Sequence, residues 1–358
     1  MASDDSASAM AGNVRCWKVN TSPVPLPSVQ RLGEAGRGAL GSALPTRPIE
    51  FRLGTYYPGL VRYTEPSDAE CAIAQALGVV GEWWTLLIVR EVAGGRYRFD
   101  DLHTELGLSR KILAERLRTL VENQVLVKQL YCSRPPRYEY RLTPMGQGLL
   151  PVLVALQDWG SRFVLGDGSL TATARPRSAE ARRVHRLVGS KFPPVTLRDL
   201  AGPRCDLVAD SEWTVLYCYP GAYATDAGYP SRWEEIPGAQ GCTLESVTYR
   251  DRIGEFVRRG AQVFGVSTQQ PRDQAAFAAR QKIPFPLLSD QGLQLAAALR
   301  LPTFRAAGAD WLKRITLLVR GDREIRGVLY PLPDPAGSVE DVLVLLDRER
   351  AAAARSKA

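Results

Sequence analysis

The chain has 358 residues, more than one compact domain holds, which predicts two or three domains, each large enough to bury its own core. Its content, 45% hydrophobic and 23% charged, is that of an ordinary globular chain, and no stretch approaches the roughly 18 consecutive apolar residues of a membrane span, which excludes a transmembrane helix. A formal charge of +8, from 46 Lys plus Arg against 38 Asp plus Glu, suits a polyanionic partner without establishing one.

Six cysteines (Cys16, Cys71, Cys132, Cys205, Cys218 and Cys242) are widely spaced and form no CxxC pair. The two histidines, His103 and His185, lie in different segments. This speaks against a metal site or a disulfide framework and leaves thiols that are reduced, redox-active or buried. No GxGxxG or P-loop pattern follows a strand, so no cofactor is expected. The amino terminus, MASDDSASAMAGNVRCWKV, lacks the apolar core and cleavage site of a secretory signal, and the expected location is the cytoplasm.

In chain order, residues 1–66 are rich in Ser, Pro, Gly and Ala and read as a disordered or irregular extension. Residues 67–165 carry helical periodicity. Residues 166–191, polar and Arg-rich, read as a linker with one short helix, and from 192 to 350 strands and helices alternate. The expected architecture is multidomain: an N-terminal α+β part, mostly α, then a C-terminal α/β part.

In ECAIAQALGVVGEWWTLLIVREV, Ile73, Ala76 and Leu77, then Trp84, Leu87 and Ile88, follow the spacing of two short amphipathic helices broken at Gly81, sharing a core. Ser109 is placed to cap the helix SRKILAERLRTLVENQ. Leu113, Leu117, Leu120 and Val121 make one stripe of it, with Lys111 and Arg118 opposite and Arg110 near its start. Such a helix packs its apolar side and offers basic groups to phosphates and base edges in a major groove. VLVKQLYC and YEYRLT then alternate around SRPPR, a hairpin whose tip carries Arg134 and Arg137 where they can follow a DNA backbone. The competing reading is a solvated helix face, because this part holds nearly equal numbers of basic and acidic residues.

Three helices and a basic hairpin make a winged helix, and these residues resemble the HxlR family of bacterial winged-helix transcription regulators through CAIAQALGVVGEWWTLLIVREV, FDDLHTELG, KILAERLRTL after Ser109, PPRYEYRLT and PMGQGLLPVLVALQDWG. The resemblance implies a homodimer that sets two recognition helices on a palindromic operator in double-stranded DNA. Cys71 sits where members of that family carry a cysteine, an oxidant sensor in some of them; the alternative is a partly buried small residue.

In the second part, the strand WTVLYCY, a long loop, a helix opened by Cys242 and the strand AQVFGVS form a βαβ unit. Unpaired amides and the macrodipole at a helix start lower a thiol pKa, so Cys242 is expected to be a nucleophile near neutral pH. CTLESVTYRD, GVSTQQPRDQAAFAARQKIPFPLLSD and KRITLLV resemble, in order, the peroxiredoxins, especially the bacterioferritin-comigratory Q group. That implies a thioredoxin-like fold that reduces hydroperoxides, with Cys242 passing through a sulfenic acid and thioredoxin or a low-molecular-weight thiol as reductant. It also implies that Arg314 stabilises thiolate and peroxide, and that Glu245 and Arg250 form an orienting pair.

Two departures from the family pattern stand out. Between Pro220 and Cys242 the active-site loop carries an insertion, which leaves Thr225 and Thr243 as alternatives for the activating threonine, with Pro237 shaping the approach. Val247 occupies the position where the Q group often has its resolving cysteine, so recycling falls to Cys218, Cys205, a partner subunit or an external thiol, a one-cysteine cycle being the default. The expected function is a thiol peroxidase fused to a DNA-binding regulator, with oxidation coupled to DNA binding. The alternatives are a peroxidase that the winged helix dimerises or places on DNA, and a regulator whose second domain is a sensor or scaffold without turnover.

Overall fold

The computed structural model describes residues 72–166, 171–199, 202, 204–208 and 211–357; the extension at 1–66 and Cys71 lie outside them. Helices α1 (Ala72–Val80) and α2 (Trp83–Ala93) meet at 73° around Gly81, where the apolar spacing placed a break. Gly81 donates its amide to the Leu77 carbonyl at 2.7 Å, and a Cβ there would collide with that oxygen. The shared core expected for the two helices draws almost wholly on α2. Ile88, Val89 and Val92 are buried, whereas Ile73 and Leu77 stay 72% and 57% exposed and Trp83 stacks outside on Trp84.

Helix α3 (Phe99–Leu106) ends at Gly107 in the left-handed region, and α4 (Arg110–Glu122) begins at Ser109, whose Oγ accepts from the Ile112 amide at 3.3 Å. Leu113, Leu117 and Leu120 of α4 join Ile88, Val92 and Leu102 in one core, with Lys111 and Arg118 outside. Strands β1 (Leu126–Ser133) and β2 (Pro136–Leu142) make the antiparallel wing, Leu126 opposite Leu142 and Ser133 opposite Pro136. Then come α5 (Pro144–Gln147) and α6 (Leu150–Trp159), the latter continuing as a wider π turn over Gly160–Val164.

The described part of the stretch read as a linker, 171–191, packs against its neighbours. It contains the expected helix, α7 (Ala179–His185), whose Ala181 and Val184 lie in one hydrophobic cluster with Leu150 and Val154 of α6. Strands β3 (Thr196–Leu197) and β4 (Cys205–Asp206) form a small antiparallel pair. The anticipated βαβ unit follows as β5 (Trp213–Cys218), α8 (Cys242–Asp251), α9 (Ile253–Arg258) and β6 (Ala261–Ser267), with β5 and β6 parallel and Cys218 opposite Val266. After α10 (Pro271–Gln281) come β7 (Leu287–Ser289), α11 (Gln294–Leu299), the hairpin of β8 (Thr303–Ala306) and β9 (Ala309–Leu312), then β10 (Ile315–Arg320), β11 (Ile325–Leu329) and α12 (Gly337–Lys357).

The main sheet runs β11-β10-β5-β6-β7, with β10 antiparallel to both neighbours and β5, β6 and β7 parallel. Alternation along its strands sends Leu216, Cys218, Val266 and Leu317 to one face, and Val215, Tyr217, Tyr219 and Leu318 to the other. Residues from α6, α7 and α11 join the cluster on the first face, and residues from α8, α9, α10 and α12 join that on the second. The winged-helix half thus contributes α6 to a core of the second half. Among the described residues no single helix is long and apolar enough to cross a membrane.

Candidate functional site

Helix α8 begins at Cys242 because Gly241 makes the left-handed turn before it (φ 96°), where a side chain would also press on Pro335. Gly241 brings no capping side chain, so the first-turn amides give this end of α8 its positive character. The thiol is 2% exposed. Its Sγ donates to the Ala239 carbonyl at 3.3 Å and accepts from Arg314 Nη2 at 3.3 Å.

Arg314, 1% exposed just before β10, is the hub of the site. Nη1 donates to Glu245 Oε2, while Nη2 also donates to the Gln240 carbonyl at 2.9 Å and the Gly238 carbonyl at 3.3 Å. The other carboxylate oxygen of Glu245 is buried without a hydrogen-bond partner. Burial pushes the Glu245 carboxyl up to about 7, against the pull of Arg314. Burial also pushes the Cys242 thiol up; Arg314 and the Gly221 amide oppose this, and the Glu245 carboxylate adds to it. The expected downward shift at a helix start is therefore reversed, because removing a thiolate from water outweighs the nearby positive charge. One permanent cation serves two acids through separate nitrogens, and the charge on Glu245 opposes a thiolate on Cys242.

Other expectations divide. Glu245 pairs with Arg314 instead of Arg250, since five residues along a helix put Glu245 and Arg250 about 140° apart. Arg250 bonds Asp251 and the Gln281 carbonyl. Thr225 is exposed at the start of a 3-10 turn (Asp226–Gly228), Thr243 is half-buried beside the thiol, and no hydrogen bond joins either to Cys242. The start of the loop is held at Ala222, because Gln269 both accepts from the Ala222 amide at 2.9 Å and donates to its carbonyl at 2.8 Å. Pro237 accepts from Ala172 and Thr171, which ties the inserted loop to the interdomain segment.

In the winged-helix half, Ser109, Arg110, Lys111 and Arg118 are exposed at the start of and along α4, and Arg134 and Arg137 are exposed at the wing tip. Arg110 pairs with Asp100 at 2.9 Å and Arg118 with Glu122 at 3.7 Å. These are solvent-screened contacts that a phosphate can displace. Between α3 and the wing is an open concavity of about 510 Å³ lined by Arg98, Lys128, Arg137, Phe99, Tyr131 and Tyr138 among others.

Residues 79–166 match the HxlR-like helix-turn-helix family model. An uncharacterized HTH-type transcriptional regulator of Mycobacterium tuberculosis is 44% identical over 123 residues, which are 34% of this chain and 72% of that relative. The chain belongs to the HxlR-like helix-turn-helix family. Residues 236–328 match the AhpC/TSA family model, so this HxlR-like chain also carries a C-terminal AhpC/TSA domain. The chloroplastic peroxiredoxin Q of Sedum lineare is 33% identical over 116 residues, 32% of this chain and 54% of that protein. Among solved structures, the peroxidoxin BcpB of Mycobacterium tuberculosis is 27% identical, with a TM-score of 0.38 over 45% of this chain and 96% of that one.

Around the thiol of this HxlR-like protein, local motifs missed the Gly221 amide, the Ala239 carbonyl and Gln269, which act through backbone geometry. In the winged-helix half they missed Arg98, whose guanidinium lies over Tyr131, and Lys128, which lies over Tyr138. Arginines alternating with a tyrosine in Arg96-Tyr97-Arg98, and Lys128 three residues before Tyr131, are the available signal.

Proposed function

We propose that this chain is a thiol-dependent hydroperoxide reductase built onto a DNA-binding regulator, and that oxidation of Cys242 alters its hold on DNA. The observation that carries this reading is Arg314 Nη2 at 3.3 Å from Cys242 Sγ inside a buried pocket at a helix start. The Cys242 thiolate attacks one peroxide oxygen; an S–O bond forms as the O–O bond breaks, and the departing oxide takes a proton to leave as alcohol or water. Arg314 holds both the thiolate and the charge developing on the departing oxygen. Two electrons from thioredoxin or a small thiol then return the sulfenic acid to the thiol, releasing water. Neither Thr243 nor Thr225 is hydrogen-bonded to the sulfur, so in this reading Arg314 is the side chain that receives the peroxide.

For DNA, the reading places α4 in a major groove through Arg110, Lys111 and Arg118, with Arg134 and Arg137 along the backbone. It makes the protein a homodimer on a palindromic operator. The exposed Ile73, Leu77, Trp83, Trp159, Phe163 and Val164, on α1, α2 and the end of α6, support a subunit contact there.

The test follows peroxide consumption with thioredoxin or dithiothreitol for the full chain and Cys242→Ser, and DNA affinity of reduced and oxidised protein. Consumption lost in the variant, with weaker or tighter DNA binding after oxidation, supports the whole reading; no consumption by the wild type sinks its enzymatic half, and unchanged affinity sinks the coupling. One arrangement favours a second reading, a regulator whose thiol domain takes one oxidation without turnover. Val247 leaves α8 without a second thiol and Cys218 faces the opposite side of the sheet. Stoichiometric oxidation without multiple turnovers would select it.

A further inference from the structure

We infer that the interdomain segment 171–180 is a positioning strap of the thiol site, with Glu180 as its positioning residue. This rests on the peroxidase reading above and adds to it a group outside the matched AhpC/TSA region. Four contacts join the segment to the site from two sides. The Ala172 amide donates to the Pro237 carbonyl at 2.9 Å and Thr171 Oγ1 donates to the same oxygen at 3.0 Å. The Ala172 carbonyl accepts the Arg314 amide at 3.0 Å. Thr173 packs against Gly238 so closely that a Cβ there would lie 3.1 Å from its side chain.

The turn from Pro237 to Gln240 is thus clamped between the strap and the reacting groups. Gly238 and Gln240 accept from Arg314, and Ala239 accepts from Cys242. Glu180 locks the strap. Its carboxylate receives Lys313 Nζ at 3.0 Å on both oxygens and the Tyr330 hydroxyl on one, in a place where Glu180 is 5% and Lys313 1% exposed. Lys313 is bonded along the chain to Arg314, so the clamp on Glu180 sets where the arginine enters the site. Helix α7, which bears Glu180, packs Ala181 and Val184 in the cluster shared with α6, and Arg183 reaches Ser161 at 3.3 Å. The thiol site is thereby built partly from the connection to the winged helix.

A displaced guanidinium costs more for peroxide than for a generic alkylating agent, because the peroxide oxygen needs the aligned donors and iodoacetamide does not. The experiment therefore compares, on the full reduced chain, oxidation of Cys242 by hydrogen peroxide with its alkylation by iodoacetamide, both read by mass on the Cys242 peptide. Glu180→Gln is expected to lower the ratio of the two rates by about tenfold or more, and Glu180→Asp, which keeps the carboxylate, to stay within about threefold of wild type. A folded Glu180→Gln protein with the wild-type ratio overturns the strap and leaves the peroxidase reading intact. A wild type that shows no preference for peroxide overturns both. Should the lone lysine left by Glu180→Gln prevent folding, the double variant Glu180→Gln with Lys313→Met removes that buried charge and carries the same two outcomes.

Discussion

Glu91 Oε1, buried in α2, lies 2.7 Å from Arg300 Nη2 at the end of α11, so a carboxylate of the winged helix is partnered by a guanidinium of the AhpC/TSA half. Glu91 also pairs with Arg90 at 2.6 Å and Arg96 at 2.9 Å. Losing Arg300 therefore leaves the carboxylate paired, and Arg300 itself is half exposed. Arg300→Ala is expected to cost about 0.5–1 kcal/mol after solvent screening. A double-mutant cycle with Glu91→Gln isolates the tie, and a coupling energy of zero removes it.

Cys218 and Cys242 belong to hydrophobic clusters on opposite faces of the sheet, with β5 itself between them. A disulfide between them requires the strand to leave the sheet. Cys218→Ser is expected to consume peroxide at the wild-type rate, and intact mass of oxidised wild type to contain no Cys218–Cys242 bridge. Finding that bridge in non-reducing peptide maps would reject the one-cysteine cycle.

Much of this arrangement is legible in the sequence because its signals are local. Apolar spacing around Gly81, the Ser109 cap and the alternation on either side of SRPPR each fix one element, and the strand–loop–helix order fixes the βαβ unit around Cys242. What escapes depends on contacts between distant segments. A polar, Arg-rich stretch reads as a linker until Ala172 is found between Pro237 and Arg314, and Glu180 gives no sign of its burial against Lys313. Nor does a helix start reveal how dry its surroundings are. The direction of the Cys242 shift follows from burial and not from the residue's place at the start of α8.

The Glu245 carboxylate raises the Cys242 pKa and also holds Arg314 Nη1. Glu245→Gln removes the negative charge, so the thiol pKa should fall and iodoacetamide should react faster near neutral pH. The same change loosens the guanidinium that receives the peroxide, and peroxide oxidation should slow by about tenfold or more. Opposite signs for the two reagents are the expected result. Acceleration of both would show that Arg314 needs no help from Glu245.

Arg118, Arg134 and Arg137 are exposed, and Arg118 is 3.7 Å from its only partner of opposite charge that geometry shows among the described residues, Glu122. Replacing each by Ala should leave the melting temperature within about a degree, because surface pairs contribute little. In a DNA titration at several salt concentrations, each substitution removes a phosphate contact from both half-sites of the homodimer, so binding should weaken and the salt slope fall by about two per variant. Unchanged affinity and slope in all three variants would remove α4 and the wing from the DNA interface.

Asp290 is fully buried where β7 gives way to α11, accepting the Leu295 amide at 3.0 Å and the Ala296 amide at 2.9 Å. Burial pushes its carboxyl up to about 7, against those amides. An unfolded aspartate titrates at about 3.9, so between these two values the native protein keeps a proton that the unfolded chain has released. The resulting stabilisation is complete below about pH 4, is lost as pH rises through about 7, and is absent above that. Asp290→Asn keeps an acceptor for one amide but cannot titrate. Between pH 5 and pH 8 the wild type should therefore lose about 2–3 kcal/mol of unfolding free energy relative to this variant, measured by denaturant titration at each pH. Because α11 carries Arg300 against Glu91, the same loss should appear as weaker protection of α2 and α6 in hydrogen exchange at the higher pH. A gap between the two proteins that does not change with pH would mean that Asp290 is ionised in the folded state throughout, its charge held by the amides of α11.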